Sequence, residues 1–260
     1  MAREKISVRQ QLFGFPDEDL KTSLHDEIVL WLKKNTLDLS KKILTWNDVL
    51  DSKKLQEVEK RVKKNTEDFK LSLELEIKEN SDQLKEKIFF RREKIVESTK
   101  SCQQQLKAIE SWKGLDQPPE CKIEVESQLE IPIKRERYKS TDIVGYADIV
   151  FSIREAYPYV SPLPTTPSGK FDSYVNLAEH LKWKTHWYDP RKVAFDAKSA
   201  IPSLGELIRQ LNTYRTYCTW PFFVVSPDSR FASEIAEEGF GFIKYPDGVI
   251  TRPKMKKNQI

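Results

Sequence analysis

The sequence predicts an α/β protein in which helices flank a central mixed sheet and a long α-helical hairpin or coiled coil is inserted near its start. Residues 37–112 are rich in Lys, Glu and Gln and contain neither Gly nor Pro, a composition typical of long helices. After the linker-like GLDQPPE at 114–120 the apolar residues alternate, which is typical of strands. We therefore assign residues 1–36 and 114–260 to the core and residues 37–113 to a helical insertion.

The composition excludes several classes of protein. A net charge of +4 allows a polyanionic partner but does not require one. The three cysteines are far apart and form no C-x-x-C pair, which argues against a structural zinc or an iron-sulfur cluster and favours a reducing compartment. No apolar run reaches membrane-spanning length, and the N-terminus lacks the apolar core of a signal peptide. We expect a soluble, cytoplasmic protein with no membrane partner.

The first predicted helix carries an apolar stripe at helical spacing: Leu20, Leu24, Ile28, Trp31 and Leu32. Glu27 lies next to Ile28 and three residues after Leu24, so its carboxylate has two interpretations. It either flanks the buried stripe and points into the domain, or it is an ordinary solvated helix residue.

The helical insertion has a narrow seam of apolar residues spaced near three, four and seven: Leu55, Val58, Val62, Phe69, Leu73, Ile77, Leu84, Ile88 and Ile95. We predict an antiparallel pair of helices with a turn near Asn80 and Ser81. Its charges alternate in sign, which favours a solvated face over a nucleic-acid surface. The insertion would provide a dimer interface, a surface for a protein partner or a clamp over a substrate.

The remainder of the chain predicts sheet and flanking helices in turn. Residues 122–133 and 142–153 predict a β-hairpin, and the proline-rich and aromatic segment 155–190 a long loop. The loop aromatics cover a sheet edge or stack on unpaired bases, and we favour the first. The last part predicts strands at 192–198, 221–225 and 240–245, and helices at 204–217 and 228–238.

The chemistry-bearing residues cluster in VAFDAKSA at 193–200 and GYADIVF at 145–151. Asp196 and Lys198 share one face of a strand because side chains alternate with a period of two. If Asp148 ends a neighbouring strand, the two carboxylates repel each other unless a cation lies between them, and oxygen ligands favour Mg²⁺ or Mn²⁺. Lys198 would then orient or deprotonate a water, or neutralise developing charge. The simpler interpretation is a structural Asp/Lys pair at the sheet edge.

At these residues the chain resembles the PD-(D/E)xK nuclease superfamily, in its RecB-like and CRISPR-associated exonuclease branch. The matching pieces are the helix with Glu27, GYADIVF, FDAK and RQLNTY, in the family's order. The resemblance implies a restriction-endonuclease-like core and Mg²⁺- or Mn²⁺-dependent hydrolysis of nucleic acid, with DNA as the favoured substrate.

The resemblance also implies roles for individual residues. The implied metal ligands are Asp148, Asp196, the Ala197 carbonyl and Glu27, and the implied catalytic lysine is Lys198. The resemblance gives Gln210 and Tyr214, the Q-x-x-x-Y element, a part in binding nucleic acid or in ordering the active site. Arg209 and Arg215 flank them on the same predicted helix and are further candidates for substrate binding.

The chain departs from the family pattern in four ways. The third-strand acid is Asp instead of the commoner Glu, the spacing from Asp148 to Asp196 is long, and the cluster cysteines of some relatives are missing. The helical insertion follows the first helix directly, which leaves acids of the first strand as substitutes for Glu27: Glu124, Glu126 or Glu130. Two alternatives to a nuclease stay open, a catalytically inactive nuclease-fold module that binds nucleic acid or a protein, and an interaction protein organised by the coiled coil.

Overall fold

A seven-stranded mixed sheet organises the structure, a computed structural model that describes residues 23–48, 50–85, 91–137, 140–165 and 177–254. The strand order is β1-β2-β4-β5-β6-β7, and β3 pairs with β2. The strands are β1 (Lys122–Arg137), β2 (Ser140–Tyr159), β3 (Lys184–Trp187), β4 (Arg191–Ala197), β5 (Phe222–Ser226), β6 (Gly241–Lys244) and β7 (Val249–Thr251). The helices are α1 (Ser23–Lys34), α2 (Thr36–Leu44), α3 (Ser52–Lys85), α4 (Arg92–Ser111), α5 (Leu204–Tyr217) and α6 (Ala232–Glu237), with a 3-10 turn at Leu177–Glu179.

The described residues fall into two compact units. The first, which we call the sheet unit, comprises those within Met1–Trp46, Ile123–Glu155 and Tyr188–Ile260. The second, the hairpin unit, comprises those within Asn47–Lys122 and Ala156–Trp187. Compared with the predicted boundaries, α2 belongs to the sheet unit, and the segment around β3 belongs to the hairpin unit.

The pairing of the strands makes the sheet mixed, as predicted. β4, β5 and β6 are parallel neighbours, whereas β2 is antiparallel to β4 and β7 is antiparallel to β6. Every side chain from Val193 to Lys198 is buried, which is expected for a central strand covered on both faces.

Two apolar layers cover the faces of this sheet. On one face Ala194, Val224 and Phe242 pack with residues of α5 and α6. On the other face Phe195 and Val225 pack with α1 and α2, whose fully buried residues are Ile28, Leu32 and Leu39. The alternation along each strand therefore places a helical layer on each side of the sheet.

The β-hairpin and the three strands predicted between 192 and 245 are present, each within a few residues of the expected bounds. α5 has the predicted bounds, and the Ser203 hydroxyl accepts the Glu206 N–H at its start, as the sequence signature indicates. α6 is shorter than expected. Two short strands, β3 and β7, were not predicted, because a run of three or four residues shows too little periodicity to be recognised.

The hairpin unit is built on α3 and α4, which pack on each other. Its core includes Val62, Phe69 and Leu73 of the predicted seam, together with the buried Cys102. Because only six residues separate the two helices, they are antiparallel. The turn predicted near Asn80 and Ser81 is wrong, since α3 continues to Lys85.

Asn80 lies inside the helix because its side chain has a partner there. Its Nδ2 donates to Ser98 Oγ at 3.2 Å, and Ser98 Oγ in turn donates to Glu76 Oε1 at 2.7 Å. Two predicted stripe positions, Leu20 and Ile88, lie outside the described residues. None of the helices in the described part of the chain combines the length and apolar character needed to cross a membrane.

Candidate active site

The two aspartates lie on neighbouring strands. β2 and β4 run antiparallel with Ile149 opposite Phe195, so one step along the same register brings Asp148 next to Asp196. The Ala197 N–H donates to Asp148 Oδ2 at 2.7 Å. The Asp148 carboxylate is therefore held against the end of β4. The expectation that both acids end their strands is wrong for Asp148, which lies in the middle of β2 because that strand continues to Tyr159.

Lys198 follows β4 directly and its side chain is 8% exposed. Its Nζ lies 3.4 Å from Asp196 Oδ1, and its main-chain N–H donates to the Val225 carbonyl at 2.9 Å. Lys198 thus continues the parallel ladder between β4 and β5. The predicted shared face of Asp196 and Lys198 is present, and it places a buried ammonium against a buried carboxylate.

His25 is a site residue that the sequence analysis missed. It lies in the first turn of α1, and its Nε2 is 3.5 Å from Asp148 Oδ1. The available signal was its spacing, because His25 precedes Ile28 by three residues and Leu32 by seven and so lies on the apolar face.

Glu27, by contrast, is exposed. Residues two apart on a helix do not face each other, so a helix that turns His25 towards Asp148 turns Glu27 away from it. The structure therefore brings His25 to Asp148 and does not bring Glu27 there. The proposed substitutes on β1, Glu124, Glu126 and Glu130, are exposed as well.

The contact between His25 and Asp148 shifts the pKa of both groups. Burial alone would lower the pKa of His25, but the hydrogen bond and charge of Asp148 outweigh it and raise the pKa to about 9. Burial alone would raise the pKa of Asp148, but the His25 imidazolium and Lys198 hold that pKa below its ordinary value. At neutral pH the pair is therefore an ion pair.

Asp196 differs from Asp148. Burial raises its pKa to about 6 against the opposing charge of Lys198, and the negative charge of Asp148 adds to the increase. Its Oδ2 is buried and has no hydrogen-bond partner within the described residues. A buried carboxylate oxygen without a partner costs free energy, and a bound ligand would recover that cost.

Gln210 and Tyr214 lie one turn apart on α5, and Gln210 Nε2 donates to the Tyr214 hydroxyl at 2.9 Å. The Tyr214 ring is 2% exposed and occupies the space beside Gly145, where a Cβ would come within 2.4 Å of the ring. Burial, followed by the charge of Asp196, raises the pKa of Tyr214. Tyr214 therefore packs between α5 and the start of GYADIVF, near the two aspartates.

The two flanking arginines have different environments. Arg209 is exposed on α5. Arg215 donates to the carbonyl of Glu238 at 3.1 Å and its guanidinium lies 4.5 Å from the centre of the Phe240 ring. Arg215 thus connects α5 to the end of α6. These contacts give it a structural role.

The donor set suits a hard divalent cation. In the described parts of the chain, no group of three or more His, Cys, Asp and Glu side chains forms a metal-binding cluster. Mg²⁺ does not require one, because it keeps several waters and often binds proteins through one or two carboxylates plus the substrate phosphate. Asp148 and the unpaired Asp196 Oδ2 fit that pattern.

Comparison of the chain with protein-family models, with curated proteins and with solved structures found no match. The interpretation of the site therefore depends on its residues and their geometry.

Proposed function

We propose that the protein is a Mg²⁺- or Mn²⁺-dependent nuclease that hydrolyses phosphodiester bonds. One observation carries the proposal: Asp196 Oδ2 is buried and has no hydrogen-bond partner among the described residues. Asp196 lies on the strand next to Asp148, and the Lys198 ammonium belongs to the same site. A phosphodiester is the substrate that two carboxylates and a lysine suit, because its charge needs both a divalent cation and a donor.

Asp148, Asp196 and the Ala197 carbonyl would hold the cation. His25 would orient the Asp148 carboxylate through its Nε2, and its positive charge would compete with the cation for that carboxylate. A bound divalent cation supplies a Lewis acid for the phosphate and a water of lowered pKa.

Lys198 would act on the reacting phosphate or the attacking water. Its Nζ is anchored by Asp196 and its backbone by Val225, so the ammonium is positioned before substrate arrives. A fixed cation stabilises charge that develops in the transition state without the cost of reorganising solvent. Tyr214 and Gln210 would hold the part of β2 around Gly145 in register, and so position Asp148 three residues further along.

The choice of nucleic acid rests on the resemblance to the PD-(D/E)xK superfamily, from which we infer a restriction-endonuclease-like core, DNA as the favoured substrate and cytoplasmic action. His25 supports the same assignment, because it connects the first helix to the aspartates. The resemblance also places a site residue, an acid, on that helix. The hairpin unit would serve a partner protein, a second copy or the substrate.

The test is a cleavage panel of linear, circular and single-stranded DNA and of RNA with Mg²⁺ or Mn²⁺. We expect cleavage by the wild-type protein and its loss in Asp148→Asn and Lys198→Ala. Asp142→Asn is the matched control, because Asp142 lies on the same strand as Asp148 and pairs with Arg135 across the β-hairpin formed by β1 and β2. Equal cleavage by Asp148→Asn and Asp142→Asn would refute the proposal.

One observation favours a catalytically inactive binding module as the second candidate. Each aspartate already has a cationic partner, His25 for Asp148 and Lys198 for Asp196, so the charges nearly balance without a metal. This candidate predicts oligonucleotide binding that is insensitive to Mg²⁺ and no cleavage of any substrate in the panel. Metal-dependent cleavage would eliminate it.

A further inference from the structure

The sheet unit contains a second cationic site, formed at the end of α2 and beside β7. Lys41, Lys42 and Arg252 line an open depression of about 470 Å³ together with the indole of Trp46. The other lining residues are uncharged: Thr45, Gly248 and Ile250. Three cations and no carboxylate among the described lining residues make a surface complementary to an anion.

The construction of the depression fixes one of its cations. The Arg252 guanidinium donates to the carbonyls of Ile43 and Lys42 in the last turn of α2. Gly248, in the turn before β7, has φ +66°, and a Cβ there would lie 3.6 Å from the Lys42 ammonium, an ordinary contact distance. The Lys42 ammonium therefore lies at the rim, beside the turn that precedes β7.

A helix C-terminus attracts cations through its dipole, so lysines in the last turn of α2 need no ligand to explain them. The chain offers a direct comparison, because Lys33 and Lys34 end α1 in the same way. Those two lysines do not line the depression, whereas Lys41 and Lys42 do, beside a fixed guanidinium and an indole. The helix C-terminus explains both lysine pairs and the position of Arg252, which donates to its carbonyls. It does not explain why three cations and the Trp46 indole line one depression at the end of α2.

The depression and the two aspartates belong to the same sheet unit. The register runs from Ala197 through Val225 and Ile243 to Ile250, three strands along the sheet. At a usual strand spacing of about 4.8 Å the backbone at Ile250 is therefore about 14 Å from the end of β4.

We propose that this depression binds a phosphate group of a nucleic-acid strand, with Lys41, Lys42 and Arg252 as the phosphate contacts and Trp46 as a stacking surface for the adjoining base. A combination of cations and aromatic rings is how proteins bind unpaired nucleic acid without sequence preference, and the half-buried Trp46 indole lines the depression beside the cations. The assignment to nucleic acid rests on the proposed function. The phosphate chemistry rests on the site itself.

The experiment measures binding without cleavage. A 3′-labelled oligothymidylate of about 20 nucleotides is titrated in EDTA at several salt concentrations and followed by fluorescence anisotropy. The Lys41→Ala/Lys42→Ala variant is compared with Lys33→Ala/Lys34→Ala, which removes two lysines of equivalent position and charge. Each variant is first shown to melt like wild type.

We expect the Lys41→Ala/Lys42→Ala variant to bind about tenfold more weakly, and its salt slope to fall by about 1.4, or about 0.7 for each lost contact with a single strand. The Lys33→Ala/Lys34→Ala variant should stay within about twofold of wild type. Equal losses in the two variants would overturn the proposal, since they would show only a general effect of charge.

A second titration, with inorganic phosphate, separates the two sources of a phosphate group. Tight binding of inorganic phosphate that depends on Lys41 and Lys42, with unchanged oligonucleotide affinity, would overturn the assignment to nucleic acid. Because these measurements contain no metal, they fail independently of the proposed nuclease activity. A wild-type protein that cleaves DNA but shows no effect of the pair retains the first proposal and loses this one.

Discussion

The buried Thr66 and Asn80 of the hairpin unit differ from the buried Asp196 of the sheet unit in how their polar atoms are satisfied. In the hairpin unit the buried Thr66 donates to the Val62 carbonyl at 2.8 Å, and the buried Asn80 is linked through Ser98 to Glu76. In the sheet unit Asp196 is 2% exposed, yet its Oδ2 has no hydrogen-bond partner within the described residues.

This difference separates a structural polar group from a candidate functional one. A satisfied buried polar group costs little and fixes the register of the helices that share it. An unsatisfied carboxylate oxygen lowers stability and persists where a ligand makes use of it. The comparison predicts effects of substitutions in both units, from a large loss of cleavage at Asp196 to almost no change at Glu27.

The largest effect is expected in the sheet unit, at Asp196. If its unpaired oxygen serves a metal, Asp196→Asn should reduce Mg²⁺-dependent cleavage on the order of 10³-fold, because the amide cannot hold the cation. Mn²⁺ should also raise the melting temperature of the wild-type protein and leave that of the variant unchanged. Calorimetry with and without Mn²⁺ measures the second effect, and an equal shift in both proteins would contradict the role of Asp196.

The next effect is the pH dependence of metal binding. Below about pH 9 a metal must displace the His25 proton, so the affinity should rise about tenfold per pH unit between 6 and 9. Below about pH 6 the slope should steepen, because Asp196 must also lose a proton. Mn²⁺ titrations across this range measure the slope, and His25→Ala should flatten it between pH 6 and 9.

In the metal-free protein the pH has the opposite effect, because stability falls as the pH rises. Because the pKa of His25 is raised in the folded state, its pair with Asp148 stabilises the fold fully below about pH 6.5. That stabilisation is lost as the pH rises through about 9. The difference in melting temperature between the wild-type protein and His25→Ala in EDTA should therefore shrink at high pH to the part that packing contributes, and a difference that stays constant with pH would contradict the ion pair.

A packing effect follows at Gly145. An added Cβ would lie 2.4 Å from the buried Tyr214 ring, so Gly145→Ala should destabilise the protein by about 1 to 3 kcal/mol through overpacking. Gly205→Ala is the matched control, because Gly205 lies in the first turn of α5 with nothing within 4 Å of its added Cβ. Urea unfolding compares the two. If the two variants are equally stable, the Tyr214 contact does not hold the part of β2 around Gly145.

A smaller effect is expected in the hairpin unit at Asn80. Asn80→Leu removes a satisfied polar group, so the free energy of unfolding should change by no more than about 1 kcal/mol in either direction. Asn80→Ala removes the same hydrogen bond and also leaves a cavity at this buried position, so it should cost more. Metal-dependent cleavage should be the same in both variants, and a loss of cleavage in Asn80→Leu would show that the hairpin unit contributes to the active site.

The smallest effect is expected at Glu27. Its side chain is exposed on α1 while His25 contacts Asp148, so Glu27→Gln should change cleavage and metal affinity by less than about twofold. The same assays with His25→Ala provide the comparison. A loss in Glu27→Gln as large as that in His25→Ala would return Glu27 to the metal site.

The sequence alone determined the mixed α/β architecture, the extent of α5 and the pairing of Asp196 with Lys198, because these follow from periodicities of two and 3.6 and from a local capping signal. It determined as well that Asp148 belongs to a strand near Asp196. Each of these features depends on residues close together in the chain, or on the tendency of short apolar runs to pair.

Only the tertiary structure decided between His25 and Glu27, because the choice depends on how α1 is rotated about its axis above the sheet. It also decided that Asn80 lies inside a helix, since the partner that satisfies it is Ser98, eighteen residues away. The depression beside β7 assembles residues from 41 to 252, which no local pattern connects. Long-range contacts of this kind are set by packing, and packing is specified by the whole chain at once.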